Sequence, residues 1–317
     1  MDQLPLEGVP RRLYSCTPSR LNGWLDCPRR YRFGYLDRPA PQRGPRWAHT
    51  SVGVSVHNAL AGWWREPYDR RTPATAEILL ARGWIADGFR DAGQSAAWLD
   101  RARAMVARYT ATLDPADEPV GVERTVATRT SVLALSGRVD RLDRRGGELV
   151  VVDYKTGRRP PAEDDARSSL ALAVYALASA RMLHRPCRRV ELHHLPTGSI
   201  VAWEHTDESL ERHLRRAEEI AAEAAEADER YGAWAEAAGR NPRAGAGRGR
   251  AGAADPVRGR VAAGGADRAP PEVPPEVDAL FPPRTGPLCS WCDFRRHCPE
   301  GRAAAPDKLP WEGLADP

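Results

Sequence analysis

The dipeptide Gly146-Gly147 lies between two alternating, β-branched segments, about residues 131 to 142 and 148 to 155, and this predicts a tight antiparallel hairpin. With those glycines as the two central turn residues, opposed positions have numbers that sum to 293, so Asp140 faces Asp153. Directly opposed side chains have Cβ atoms about 4.5 to 5.5 Å apart, and like charges there are destabilising. A bound cation removes that penalty. Side chains alternate along a strand, so Asp153 and Lys155 share one face while Val152 and Tyr154 share the other, predicting one chemical face and one core face.

The lysine is informative because the chain otherwise uses arginine. Of 47 basic residues, lysine stands at Lys155 and Lys308 and nowhere else. Arginine is a planar fork with a permanent charge, whereas lysine is a compact point charge, so the two are not exchangeable in a reacting site. Two carboxylates suit a hard divalent ion such as Mg²⁺, which leaves ligand positions for water and substrate oxygens. Lys155 is placed to orient an attacking water or offset charge on a phosphoryl transition state. Asp140, Asp153 and Lys155 are therefore the candidate catalytic residues for metal-assisted phosphodiester hydrolysis. Glu123, on the preceding strand, reads as an ordinary exposed glutamate, with an outer metal ligand as the alternative.

At 317 residues the chain can bury a large core, and its net charge of +4 permits a polyanionic partner without demanding one. No basic segment followed by an apolar stretch opens the sequence, and the run from Leu170 to Ala180 is too short to span a bilayer. The expectation is a soluble, cytoplasmic protein with no membrane partner.

Helical periodicity fills the N-terminal third: a segment opening at Thr17-Pro18, then about 51 to 65, 74 to 90 and 94 to 113. Strands are predicted at about 120 to 129, 131 to 142, 148 to 155, 188 to 195 and 199 to 205, with helices at about 166 to 183 and 207 to 236. The pattern is α/β: a mixed sheet flanked by helices, with a helical N-terminal insertion. The predicted organisation is a core at 14–236, a Gly/Ala/Arg/Pro linker at 237–275 and a cysteine-bearing segment at 276–302.

Cys289, Cys292 and Cys298 are closely spaced, and Cys27 makes a fourth. Four thiolates can hold a tetrahedral Zn²⁺ or an iron-sulfur cluster, and spacing does not choose between them. Either would clasp the C-terminal segment to the N-terminal helices. His297 offers a three-cysteine, one-histidine zinc alternative, while Cys16 and Cys187 have no metal-like context. Arg29, Arg30 and Arg32 interleave with Tyr31 and Phe33, a candidate platform for DNA, balanced against a solvated basic face with the aromatics in the core.

These residues resemble the RecB-like nuclease domains of the PD-(D/E)XK superfamily. The matching stretches are Gly137 to Asp140, then Val152-Asp153-Tyr154-Lys155-Thr156, and an upstream Gly53-Val54-Ser55-Val56-His57. The resemblance implies a restriction-endonuclease-like fold, a metal site of His57, Asp140 and Asp153, and Mn²⁺ as a ligand-compatible alternative to Mg²⁺. It also implies a 4Fe-4S cluster on Cys27, Cys289, Cys292 and Cys298, as in AddB-type and CRISPR-adaptation exonucleases, with structural Zn²⁺ as the alternative. Such families carry a glutamine four residues before a helical tyrosine. Here Ala171 precedes Tyr175 at that spacing, which removes a polar contact near the site and leaves Tyr175 as a candidate DNA contact. The implied activity is a DNA exonuclease of repair or recombination acting on single strands or duplex ends. With no Gly-x4-Gly-Lys-Ser/Thr loop, a separate helicase is the implied motor. The competing reading is a non-catalytic DNA-binding scaffold that kept the fold and cluster.

Overall fold

A computed structural model describes residues 13–240 and 269–314. Most of the predicted linker therefore lies outside the described residues. The chain opens with β1 (Tyr14–Cys16), α1 (Pro18–Asp26) and α2 (Pro28–Tyr35). Thr17 caps α1 by accepting the Arg20 N–H at 3.1 Å, and Pro18 fills a first-turn position where no amide hydrogen is needed. Helices α3 (Ala48–Arg65), α4 (Pro73–Arg82) and α5 (Ala92–Thr110) follow. The helix predicted to reach residue 90 ends at Arg82, with Gly83 as its cap.

Strands β2 (Gly121–Arg129), β3 (Leu133–Arg145) and β4 (Glu148–Lys155) form the hairpins of the core. Gly146 and Gly147 have φ of 56° and 91°, the left-handed backbone that a two-residue hairpin turn requires. The helix expected over 166–183 is divided into α6 (Glu163–Arg167) and α7 (Leu170–Leu183), because Ser169 starts a new helix by accepting the Leu172 N–H. After β5 (Arg189–His194), β6 (Ser199–Glu204) and the long α8 (Asp207–Ala237), the short α9 (Pro275–Asp278) and α10 (Pro299–Ala304) complete the described elements.

The six-stranded mixed sheet runs β1-β3-β4-β5-β6, with β2 on the other edge of β3. Along one edge, β3 meets β1 at Leu133 to Leu135 and β4 only from Arg141 onward. These two partners therefore splay apart beside residues 136 to 140. Gly137 lies in that splay, where a Cβ would overlap the Tyr175 ring of α7.

Both faces of the sheet are covered, so the expected division into a chemical face and a core face does not hold. Val150, Val152 and Tyr154 pack under α3, α4 and α5. Leu149 and Val151 pack under α7. The acidic residues singled out in the sequence instead lie near the start of β2, within β3 and near the end of β4. A third apolar cluster joins α1, α2, α8 and α9 around Leu21, Trp24, Tyr31 and Phe281.

Gly137→Ala should lower stability by about 1–3 kcal/mol through overpacking against Tyr175. Thermal denaturation beside Gly137→Ala/Tyr175→Ala checks this, since the double variant should recover part of the loss.

Candidate active site and cysteine clasp

The predicted hairpin register is present: Arg141 pairs Val152, Leu142 pairs Val151, and Arg145 pairs Glu148. Asp140 and Asp153 are the next opposed positions, just beyond the paired ladder. On the other edge of β3, Val122 pairs Arg141 and Arg124 pairs Val139, which sets Glu123 opposite Asp140. Three carboxylates thus occupy neighbouring positions on three adjacent strands. Like charges at such positions repel unless a cation or a proton intervenes.

Asp140 is held from two sides. Its Oδ2 accepts the Tyr154 N–H at 2.9 Å, and its Oδ1 lies 3.2 Å from His57 Nδ1. His57 Nε2 is 3.1 Å from the Tyr154 carbonyl oxygen, which can only accept, so this nitrogen carries the proton. With the proton on Nε2, a neutral ring would direct its Nδ1 lone pair toward the Asp140 carboxylate oxygen 3.2 Å away. A cation between them reconciles the two acceptors. The sequence delivers His57 there because α3 approaches the end of β4 closely at Gly53, where a Cβ would stand 3.3 Å from Thr156 Oγ1.

His57, Glu123 and Asp140 each offer a ligand atom, and the three atoms lie within 4.8 Å of one another. One imidazole nitrogen and two carboxylate oxygens fit Mg²⁺ or, with the nitrogen, Mn²⁺. The donor set therefore passes as a divalent-metal site. Glu123 adopts φ of 49°, a left-handed conformation that costs a non-glycine residue about 1 kcal/mol or more. Its carboxylate also pairs with Arg138 at 2.7 Å. The expectation of an ordinary exposed strand glutamate is corrected: its side chain is only 10% exposed and faces the histidine.

Asp153 is placed beside this group but outside it, with its carboxylate 2.7 Å from Lys155 Nζ. Burial pushes the Asp153 pKa up, the Lys155 ammonium pulls it down and Asp140 pushes it up again, for a net upward shift. Asp153 and Lys155 do share one face of β4, as alternation requires, and Lys155 stays half-exposed at the strand end.

The basic and aromatic residues after Cys27 are mostly structural. Tyr31 is 1% exposed, and its hydroxyl meets Tyr14, Arg20 and Asp228 at 2.8–3.0 Å. Arg32 is buried between Asp278 at 2.7 Å and Asp37 at 3.3 Å, and Arg29 also pairs with Asp278. The platform expected from Arg29, Tyr31 and Arg32 is therefore corrected to an internal tie among α2, α8 and α9. Arg30 alone of that set stays half-exposed, 3.6 Å from Asp26.

Cys27, Cys289, Cys292 and Cys298 line one pocket together with Arg29, Arg30, Phe33, Arg295 and Gly301. Gly301 stands between two of the sulfurs: a Cβ there would be 3.3 Å from Cys298 Sγ and 3.6 Å from Cys289 Sγ. Backbone N–H groups donate to sulfur from Gly301 to Cys298 at 3.3 Å and from Arg284 to Cys27 at 3.4 Å. Burial pushes the Cys292 thiol up to about 11 and the Cys298 thiol upward, which opposes thiolate formation unless a metal supplies positive charge. Four thiols around one pocket can hold either a tetrahedral Zn²⁺ or an iron-sulfur cluster. His297 does not line the pocket and instead contacts the Gln42 carbonyl at 2.9 Å. Cys16 and Cys187 are buried elsewhere, each pushed up to about 12 by burial.

A helix-flanked mixed sheet with a histidine–carboxylate cluster at splayed strand ends defines a restriction-endonuclease-like fold with a candidate metal site. The chain belongs to the PD-(D/E)XK nuclease superfamily, whose family model matches residues 15–299. Among solved structures, a "Putative exonuclease" from Eubacterium rectale is similar at 12% identity and a TM-score of 0.43, covering 73% of this chain and 88% of that one. No curated protein matches the sequence significantly. Among the described residues, no helix is long and apolar enough to cross a membrane.

Glu123→Ala should weaken Mn²⁺ binding at least about tenfold, comparably to His57→Ala, as measured by isothermal titration calorimetry. An ordinary surface glutamate would leave the affinity unchanged.

Proposed function

We propose that this protein is a metal-dependent deoxyribonuclease that hydrolyses phosphodiester bonds, acting as an exonuclease in DNA repair or recombination. The observation that carries the reading is the meeting of His57, Glu123 and Asp140 beside the Asp153–Lys155 pair. A divalent ion held by His57, Glu123 and Asp140, with Asp153 adjoining, would polarise a phosphoryl oxygen and lower the pKa of bound water. Asp140 is oriented by the Tyr154 N–H and His57 by the Tyr154 carbonyl, so the Tyr154 backbone sets both side chains. Lys155 brings positive charge to the strand end, where it orients the attacking water or offsets charge developing on the phosphoryl group. Tyr175, which lies against Gly137 in the splay beside Asp140, is proposed as a substrate contact on the resemblance.

The four-cysteine pocket is proposed to hold a 4Fe-4S cluster. The shared pocket, the N–H donors to sulfur and the room left by Gly301 support a metal-containing group there, and the choice of the cluster over a single Zn²⁺ rests on the resemblance. A separate helicase as partner, and a cytoplasmic location, rest on the sequence reading alone.

End-labelled single- and double-stranded DNA supplied with Mg²⁺ or Mn²⁺ provides the test. Cleavage by the wild type should fall about 100-fold or more in Asp153→Ala and in Lys155→Ala. Binding without cleavage by the intact wild type would instead favour the scaffold reading. Anaerobically purified protein should be brown, absorb near 400 nm and carry about four irons per chain, and Cys298→Ala should lose both colour and iron. A colourless protein with one zinc would reject the cluster.

A further inference from the structure

A second pocket lies at the start of α3, lined by Arg30, Arg43, Arg46, Trp47, His49 and Trp291, with Asp293 at its floor. Neither the metal site nor the cysteine pocket accounts for its composition. The Trp47 and Trp291 rings meet edge to face with centroids 5.0 Å apart. The His49 ring lies 6.1 Å from Trp47, near parallel to it, and 5.5 Å from Trp291. His49 itself is exposed, and the two indoles are half-buried. The Lys308 ammonium lies 4.6 Å from the Trp291 ring centroid and Gly313 packs against His49 and Trp291, so the rings are partly exposed among three guanidinium groups and an ammonium.

Charge in the pocket favours an anion. Asp293 is the one acidic residue lining it, and it is occupied by Arg43 at 3.3 Å and by the Trp47 indole N–H at 3.2 Å. Arg46, 16% exposed, contacts Asp87 only at 3.8 Å, and Asp87 is 72% exposed. Arg30 is likewise held loosely, 3.6 Å from Asp26. Guanidinium and ammonium groups beside partly exposed aromatic rings match a chain of phosphates that carries unpaired bases. A duplex keeps its bases stacked inside and cannot offer them to these rings.

The pocket is also aligned with the proposed catalytic site. Thr50 lines it, and Thr50, Gly53 and His57 follow at three- and four-residue spacing, so they share one face of α3. Seven residues of helix separate Thr50 from His57, a rise of about 10 Å. The pocket wall reaches from the cysteine-bearing segment, through Trp291 and Asp293, to the helix that carries His57. Loss of the cysteine-bound group would therefore disturb the pocket as well.

We infer that this pocket is a binding subsite for single-stranded nucleic acid, in which Trp47, His49 and Trp291 stack unpaired bases and Arg30, Arg43 and Arg46 hold the flanking phosphates. The inference rests on the nuclease reading for its biological sense, but its binding chemistry stands apart from catalysis. It makes the chain a reader of unpaired strands along the helix that carries His57.

The test is fluorescence anisotropy of labelled dT20, rU20 and a blunt 20-base-pair duplex with the cluster-loaded full chain. Divalent metal is left out so that nothing is cut. Trp291→Ala should weaken dT20 binding about tenfold or more, and Trp291→Phe should restore most of it. His49→Ala changes an exposed side chain and guards against misfolding; it should weaken dT20 binding severalfold. Arg46→Ser should lower the slope of log affinity against log salt by about 0.7, the loss of one phosphate contact on a single strand. Losses confined to the single strands support the subsite, and the rU20 arm reports whether the sugar matters. Unchanged dT20 affinity in Trp291→Ala and His49→Ala, or equal losses on the duplex, would overturn it. Failure of the nuclease reading would appear separately, as absence of hydrolysis by a wild type that still binds dT20.

Discussion

Repulsion among carboxylates is the constraint on which the rest of this molecule depends. Glu123, Asp140 and Asp153 stand at opposed positions on three adjacent strands, an arrangement that costs stability unless positive charge is close by. The fold supplies part of that charge through Lys155 and Arg138, each 2.7 Å from a carboxylate oxygen. It leaves His57 directed at Asp140 from the opposite side. Two ordinary devices create the space: β1 and β4 splay apart along β3, and glycines let α3 and Tyr175 approach the strands.

The remainder of the chain holds that arrangement in place. Helices α3 to α5 pack on one face of the sheet and α7 on the other, so the strand ends cannot shift independently. The tie of Arg20, Tyr31 and Asp228 fixes the N-terminal helices to α8. The cysteine pocket then joins α2 to the last described segment, and burial raises its Cys292 and Cys298 thiols, which disfavours their thiolates in the absence of a metal-containing group. Clasp and catalytic site are thus linked through α2, the cysteine segment and the start of α3.

Much of this was legible in the residues. The Gly146-Gly147 turn placed Asp140 opposite Asp153, because a two-residue turn permits a single register and both glycines supply positive φ. The same counting applied to the preceding turn, centred on Ser131 and Val132, would have placed Glu123 opposite Asp140. That turn has no glycine to announce it, so the sequence favours an exposed glutamate at Glu123 over an outer metal ligand. The misreading of Arg29, Tyr31 and Arg32 has a different cause. Their partners, Asp228 and Asp278, lie some two hundred residues away, and no local pattern announces that α8 and α9 will cover them. His57 was recognisable only beside the hairpin motif, since a histidine on a helix is by itself uninformative.

The most direct measurement is an anomalous difference map from crystals of the full chain grown with Mn²⁺. A single strong peak bounded by His57 Nδ1, Glu123 and Asp140, with Lys155 still beside Asp153, is the predicted result. A map with no peak among those three side chains, or with manganese bound elsewhere, would contradict a fold organised around a cation at the splayed strand ends.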